Sequence, residues 1–243
     1  MKIVPFALLL LVSGCGRTEK SSLPTSQVQA PATAQVRLLV GVGGKTGFVD
    51  ETGRLIINPQ WDEAFPFKEG LAIVCVGECD FEHRVGYRLA KNFRQIPLEQ
   101  TYKFGYIDEN GKLAINPAFE EAQNFSEGLA AVCVGTGCYY SLDKKDKPRK
   151  WGYIDKTGLM VIPVQFDEAR DFKEGLASVS IGGKCGYVDK NGKFSINPQF
   201  DFADSFENGF ARVGLKAPDK EDESKFKFGY IDKTGKYIWE PSN

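Results

Sequence analysis

The chain has 243 residues, 42% hydrophobic and 12% aromatic, enough to bury a sizeable core in one large domain or two small ones. A formal net charge of −1 excludes bulk attraction to nucleic acid or to an anionic membrane surface. The 26 glycines and 12 prolines point to many turns.

The first element is "MKIVPFALLLLVSGCG". Lys2 precedes an apolar run from Ile3 to Val12, which is too short for a permanent span and suits the central region of an export signal. Val12-Ser13-Gly14-Cys15 resembles the lipobox of bacterial lipoproteins. That resemblance implies a signal peptide over residues 1–14, cleavage before Cys15, and acylation of Cys15 with chains such as palmitate. Two or three acyl chains would anchor the exported protein durably to a membrane. The Gly16 that follows favours the outer membrane in a diderm host. An ordinary secretory signal with an incidental cysteine is the alternative. Residues 15–35 carry the lipidated Cys15 and then "GRTEKSSLPTSQVQAPATAQ", almost without large apolar side chains. Such a segment cannot offset the entropy of folding and is expected to be a disordered tether.

From Val36 onward the chain repeats itself. The copies read "TGFVDETGRLIINPQWDEAFPFKEGLAIV", "FGYIDENGKLAINPAFEEAQNFSEGLAAV", "WGYIDKTGLMVIPVQFDEARDFKEGLASV" and "CGYVDKNGKFSINPQFDFADSFENGFARV", then "FGYIDKTGKYIWEPSN". Repeats of this length mean an array, solenoid or propeller. In each copy a strand centred on Gly-aromatic-Ile/Val runs into Asp-x-Thr/Asn-Gly. There the Asp side chain accepts turn amides, and Gly53, Gly111, Gly158, Gly192 or Gly235 supplies the positive φ of a type I turn with a glycine bulge. A second strand is expected to end at Pro59, Pro117, Pro163, Pro198 or Pro241, since proline cannot sit in mid-ladder. A Phe/Trp-Asp/Glu-x-Ala-x-x-Phe connection leads to Glu-Gly or Asn-Gly and an alternating "LA-x-V" strand. Asp62, Glu120, Asp167 and Asp201 in these connections are expected to bond backbone amides. Gly47 to Gly70, Gly105 to Gly128, Gly152 to Gly175 and Gly186 to Gly209 are each 23 residues apart, so this part packs against its neighbours and cannot absorb insertions. "VRLLVGVGG" matches the later "LA-x-V" strands. The expected fold is therefore all-β: five tandem three-stranded antiparallel meanders over residues 36–243, forming a solenoid or propeller-like array.

Trp151-Gly152-Tyr153-Ile154-Asp155, Gly158, Ile162-Pro163, Phe166-Asp167, Ala169 and Phe172-x-Glu174-Gly175-Leu176-Ala177 together resemble the WG, or KWG, repeat family of bacteria, and Lys150 completes the KWG form. The resemblance covers roughly residues 36–243. It implies an all-β repeat body with a binding or scaffolding role and no agreed enzymatic activity. Only one copy keeps the tryptophan; Thr46, Phe104, Cys185 and Phe228 take its place in the others. A slot filled so variously reads as a packing site of variable volume, with Cys185 a buried free thiol.

Length changes fall in one hairpin loop, giving segments 75–103, 133–150 and 215–227 as the places to look for recognition. Neutral surface insertion is the alternative. Cys75-x-x-x-Cys79 and Cys133-x-x-x-x-Cys138 open the two longest loops, and in an exported protein each pair is expected as a disulfide. A zinc site built from the four thiolates is the alternative, disfavoured by their spacing and by an oxidising compartment. The candidate contact residues are His83, Tyr87 and Phe93 in the first loop, and Tyr139, Tyr140, Lys144, Lys145 and Arg149 in the second. The basic, aromatic second loop suits an anionic glycan, a lipid headgroup or an acidic protein patch.

No catalytic constellation stands out. His83 is the single histidine, and Asp50, Asp108, Asp155, Asp189 and Asp232 recur in every copy as turn caps, where an active site rarely needs five. No cofactor, metal or nucleic-acid partner is expected. The sequence thus favours a non-enzymatic, membrane-anchored envelope binding or scaffold protein whose partner is an envelope protein or polysaccharide. A cell-wall glycan hydrolase, which needs two carboxylates about 5 to 10 Å apart, and a passive structural lipoprotein are the alternatives.

Overall fold

A computed structural model describes residues 37–77, 79, 102–135, 150–216 and 226–241. These residues contain no helix and fold as five small antiparallel sheets in tandem. The first sheet is β1 (Leu38–Val42), β2 (Lys45–Val49) and β3 (Leu55–Trp61). The second is β4 (Glu63–Ala64), β5 (Leu71–Val76), β6 (Lys103–Asp108) and β7 (Leu113–Phe119). The third is β8 (Glu121–Ala122), β9 (Leu129–Val134), β10 (Lys150–Asp155) and β11 (Met160–Phe166). The fourth is β12 (Glu168–Ala169), β13 (Ala177–Ile181), β14 (Lys184–Val188) and β15 (Phe194–Phe200). The fifth is β16 (Phe202–Ala203), β17 (Phe210–Lys216), β18 (Phe226–Asp232) and β19 (Tyr237–Trp239).

The three-stranded meander is present in every unit, and four units add a short fourth strand where a plain connection was expected. Ala64, Ala122, Ala169 and Ala203 sit in these two-residue strands and pair with Val74, Val132, Val179 and Val213. A two-residue strand has no periodicity to read. It is held by the next hairpin, whose turn residues Glu69, Glu127, Glu174 and Asn208 all adopt positive φ beside a positive-φ glycine. That double left-handed turn suits the twist of a two-residue hairpin.

The prolines do not end the strands. β3, β7, β11 and β15 each run through theirs, and only β19 stops before Pro241. Between Trp151↔Phe166 and Tyr153↔Ile162, two steps along β10 meet four along β11. The surplus residues bulge around Pro163, so its missing N–H removes no ladder bond. The same shift recurs beside Pro59, Pro117 and Pro198.

The Asp turns form as their residues dictate. In the third sheet Asp155 Oδ1 accepts Thr157 N at 2.8 Å, Thr157 Oγ1 at 2.6 Å and Leu159 N at 3.1 Å. The Thr157 hydroxyl and these amides hold the Asp155 carboxyl below its usual 3.8. Asp50 and Asp232 are lowered in the same way, first by Thr52 and Thr234, and Asp108 first by the Lys112 amide. A depressed folded pKa gives stability that is present above the unfolded value and lost as pH falls through the folded one. The thermal midpoint is therefore expected to hold from neutral pH down to about 4 and to drop below it. Asp155→Asn should flatten that acid limb relative to the parent; an identical limb would refute the assignment.

Each sheet buries one face against the next. The side chains of Leu71, Ile73, Phe104, Tyr106 and Ile115 on the second sheet meet Ala130, Val132 and Ile154 on the third. Leu129, Trp151, Tyr153 and Ile162 meet Ala177, Val179 and Val188 in the same way, and Leu176, Tyr187 and Ile196 meet Ala211, Val213 and Ile231. Large side chains on the trailing face thus pack on small aliphatic ones on the leading face of the following sheet. A phenylalanine of each connection closes the joint. Phe125 lies 4.9 Å from Tyr106, Phe172 4.9 Å from Tyr153 and Phe206 4.7 Å from Tyr187, centroid to centroid. The tyrosine hydroxyls donate to the carbonyls of Gln123, Arg170 and Asp204, each at 2.7 Å. Burial pushes these three phenols far above their usual range, so they stay neutral donors.

Candidate functional site

The long loops leave the array between β5 and β6, β9 and β10, and β17 and β18, where the first and fourth sheets turn tightly through Gly43-Gly44 and Gly182-Gly183. A carboxylate anchors each loop base. Gly77 N donates to Asp62 Oδ2 at 3.0 Å, Gly135 N to Glu120 Oε2 at 3.2 Å, Gly182 N to Asp167 Oδ2 at 2.7 Å and Lys216 N to Asp201 Oδ2 at 2.9 Å. The other oxygen of each carboxylate takes a lysine from the preceding sheet: Lys45, Lys103, Lys150 and Lys184 in order. Burial alone would push Asp62 and Asp201 up, but the lysine and backbone donors outweigh it and hold both carboxyls low. Singly such half-exposed ion pairs are weak; as a row they tie every sheet to the next along the loop-bearing edge.

A second row runs along the opposite turns. Glu69 accepts Glu127 N at 2.6 Å and Gly128 N at 3.0 Å, and pairs with Lys156 at 3.1 Å. Glu127 accepts Gly175 N and pairs with Lys190, and Glu174 accepts Gly209 N and pairs with Lys233. A left-handed non-glycine position ordinarily favours Asn. The three copies that hold a following turn carry Glu, and Asn208, which holds none among the described residues, carries the locally favoured residue.

Cys75 and Cys79 are joined by a disulfide that closes the start of the first long loop. Cys133 is disulfide-bonded as well; Cys138 lies outside the described residues. So do Cys15, His83, Tyr87, Phe93, Tyr139, Tyr140, Lys144, Lys145 and Arg149. Lys150 belongs to β10 and is engaged by Asp167, so it belongs to the row of ion pairs and is no part of the basic loop. Cys185 is a free thiol, half-buried where a buried one was expected, because it packs only against the margin of the core cluster between the fourth and fifth sheets. The tryptophan slot is core at Phe104 and Trp151, half-buried at Thr46 and exposed at Phe228.

A small cleft is lined by Phe65, Ile73, Phe104, Gln123, Asn124 and Asp171. Asn124 Oδ1 and Asp171 Oδ1 are buried there without a hydrogen-bond partner, and burial pushes the Asp171 carboxyl up. Two acceptors suit a hydroxyl or water donor. No group of three or more ligating side chains that could hold a metal occurs among the described residues.

Sequence reasoning missed the lysines of the loop-edge row. Their signal was present: Lys45, Lys103, Lys150 and Lys184 each stand one residue before the tryptophan slot and 17 before their acidic partner.

The family model described as "WG containing repeat" matches residues 47–78, 104–135, 151–185 and 186–216. Each match begins in one sheet and ends in the next, so it frames the joint between sheets more than the sheet itself. No curated protein matches the chain, and no solved structure matches it.

Proposed function

Because this chain belongs to the WG-repeat family, a family that suggests repeat-based binding or structural proteins, we propose that it is a non-enzymatic binding scaffold of the bacterial envelope. The lipid on Cys15 anchors it to a membrane, the outer one in a diderm host, and residues 16–35 lift the array away from that surface. The loops at 75–103 and 133–150 take hold of an envelope protein or polysaccharide.

The observation that carries this reading is where length varies. Insertions enter at one edge, and each described loop base there is fixed by a carboxylate. The first is also closed by a disulfide. A rigid base limits the ordering cost when a loop binds. The recurrent carboxylates are already spent on amides and lysines, which supports binding over hydrolysis.

The test replaces residues 80–101 and 139–149 each with the two-glycine turn of the fourth sheet. Crosslinking in intact cells should then lose the partner while the thermal midpoint moves by only a few degrees or so; unchanged capture sinks the loop assignment. Separately, Cys15→Ser should release the protein from the membrane fraction, and retention there would refute lipid anchoring.

A further inference from the structure

We propose that the two ends of the array are the two halves of one joint, so that the fifth sheet of one copy receives the first sheet of a second copy, head to tail. The argument is continuity with the joints inside the chain. On the second, third and fourth sheets the trailing face is covered by the next sheet. Tyr106, Tyr153 and Tyr187 are at most 1% exposed. On the fifth sheet the same register position is Tyr230, paired with Trp239 as Tyr187 is with Ile196, and it is 42% exposed. Trp239 is 57% exposed, and Phe210, in the register place of Leu71, is exposed too.

The first sheet presents the matching half. Its leading face carries Leu38, Val40, Val49 and Leu55 where the third sheet carries Ala130, Val132, Ile154 and Met160. Leu38 and Leu55 are 52% and 46% exposed. Aliphatic side chains on one end therefore face large aromatic ones on the other, as within the chain, with Leu38 standing where the internal sheets carry alanine.

Two details fit the joint more closely. At every internal joint the turn glycine of one sheet sits on the isoleucine of the sheet before it: Gly111 on Ile57, Gly158 on Ile115, Gly192 on Ile162 and Gly235 on Ile196. Gly53 on the first sheet meets nothing, and the seat on the fifth sheet is Trp239, whose flat indole takes a glycine turn on its face. Trp239 also stacks on Tyr230, centroids 6.3 Å apart and planes 22° apart, which replaces the connection phenylalanine of the internal joints. The charges follow suit. At the last three internal joints a glutamate faces the turn lysine of the next sheet, and at the first joint Arg37 faces the turn residue Glu109. Across the proposed joint the turn residue is Glu51, in the place of Lys156, and the facing residue is Asn208, in the place of Glu174. A glutamate there would confront Glu51 with a like charge, whereas an asparagine amide can donate to it.

Such a contact is heterologous: each copy uses one end to receive and the other to insert, so association continues into chains or rings of copies. It does not depend on what the loops bind. The test is sedimentation of the full chain over a range of concentrations. The parent should grow in mass with concentration. Trp239→Asp and Leu38→Asp change exposed side chains, so each should keep its thermal midpoint and remain a monomer. An equal mixture of the two should recover dimers and stop there, because only one intact joint can form. Asn208→Glu should weaken association about tenfold, and adding Glu51→Lys should restore it. A parent that stays monomeric at every concentration overturns the proposal, as does a mixture that recovers nothing. Association of Leu38→Asp alone would mean tail-to-tail contact and overturns it too, and an inert Asn208→Glu overturns the register of the joint.

Discussion

Gly152→Ala is expected to cost about 3 kcal/mol or more of folding stability. The glycine of the WG pair is not there for a left-handed backbone, since its φ is ordinary. It is there because β11 crosses close above it at the proline bulge. A Cβ on Gly152 would stand 2.6 Å from the Ile162 carbonyl oxygen and 2.9 Å from the Val164 nitrogen. Those are backbone atoms of a paired strand, so no side-chain rotation relieves the clash. The same collision awaits Gly105 against Ile115 and Gly186 against Ile196. Gly41, in β1, meets nothing within 4 Å, so Gly41→Ala is the matched control and should change stability by less than about 0.5 kcal/mol. Urea melts of both variants decide the matter. A Gly152→Ala loss within about 1 kcal/mol of the control would show that the bulge opens easily and that the glycine has another cause.

Trp151→Ala and Phe228→Ala remove an aromatic ring from one and the same motif slot, and are expected to differ widely. Trp151 is 5% exposed inside the core of the third sheet. Its loss should cost about 3–5 kcal/mol, as for large buried aromatics. Phe228 is exposed, touching Phe202, Phe226 and the Arg212 guanidinium. Its loss should cost about 1 kcal/mol, the worth of one such ring cluster and one cation–π contact. Equal costs in denaturant melts would mean that the slot acts through its own strand, not through the sheet that covers it.

Part of the molecule is legible in the sequence. Asp50, Asp108, Asp155, Asp189 and Asp232 bind the backbone of their own turns, two and four residues on. An interaction of that range is written in adjacent letters, so motif reading found it. The acidic connection residues were expected on backbone amides and are found there. Their lysines were not foreseen, because a pair 17 residues apart belongs to two strands whose register no local pattern states. The prolines were misread for a related reason. Proline reads as a stop because it lacks an N–H, yet within a bulge that N–H is not needed, and only the pairing of β10 with β11 reveals the bulge.

The candidate contacts of the long loops rest on sequence alone, since those residues lie outside the described structure. Within the array, by contrast, the repeat explains itself. One sheet exposes an aromatic trailing face that it cannot cover, and the next sheet covers it. This is why equal motif positions differ so much in burial: Tyr153 is fully buried and Tyr230 is not, although both stand in Gly-Tyr-Ile-Asp.

By itself the sequence determined what short-range forces decide: the strand segments, the Asp-capped turns, the unit and its five copies. Those follow from backbone preferences and from hydrogen bonds within a few residues. The tertiary structure alone decided which sheet face is covered, which carboxylate meets which lysine, and why glycine must follow the tryptophan. Each of these depends on a distance between strands far apart in the chain, and such a distance exists only once the sheets have stacked.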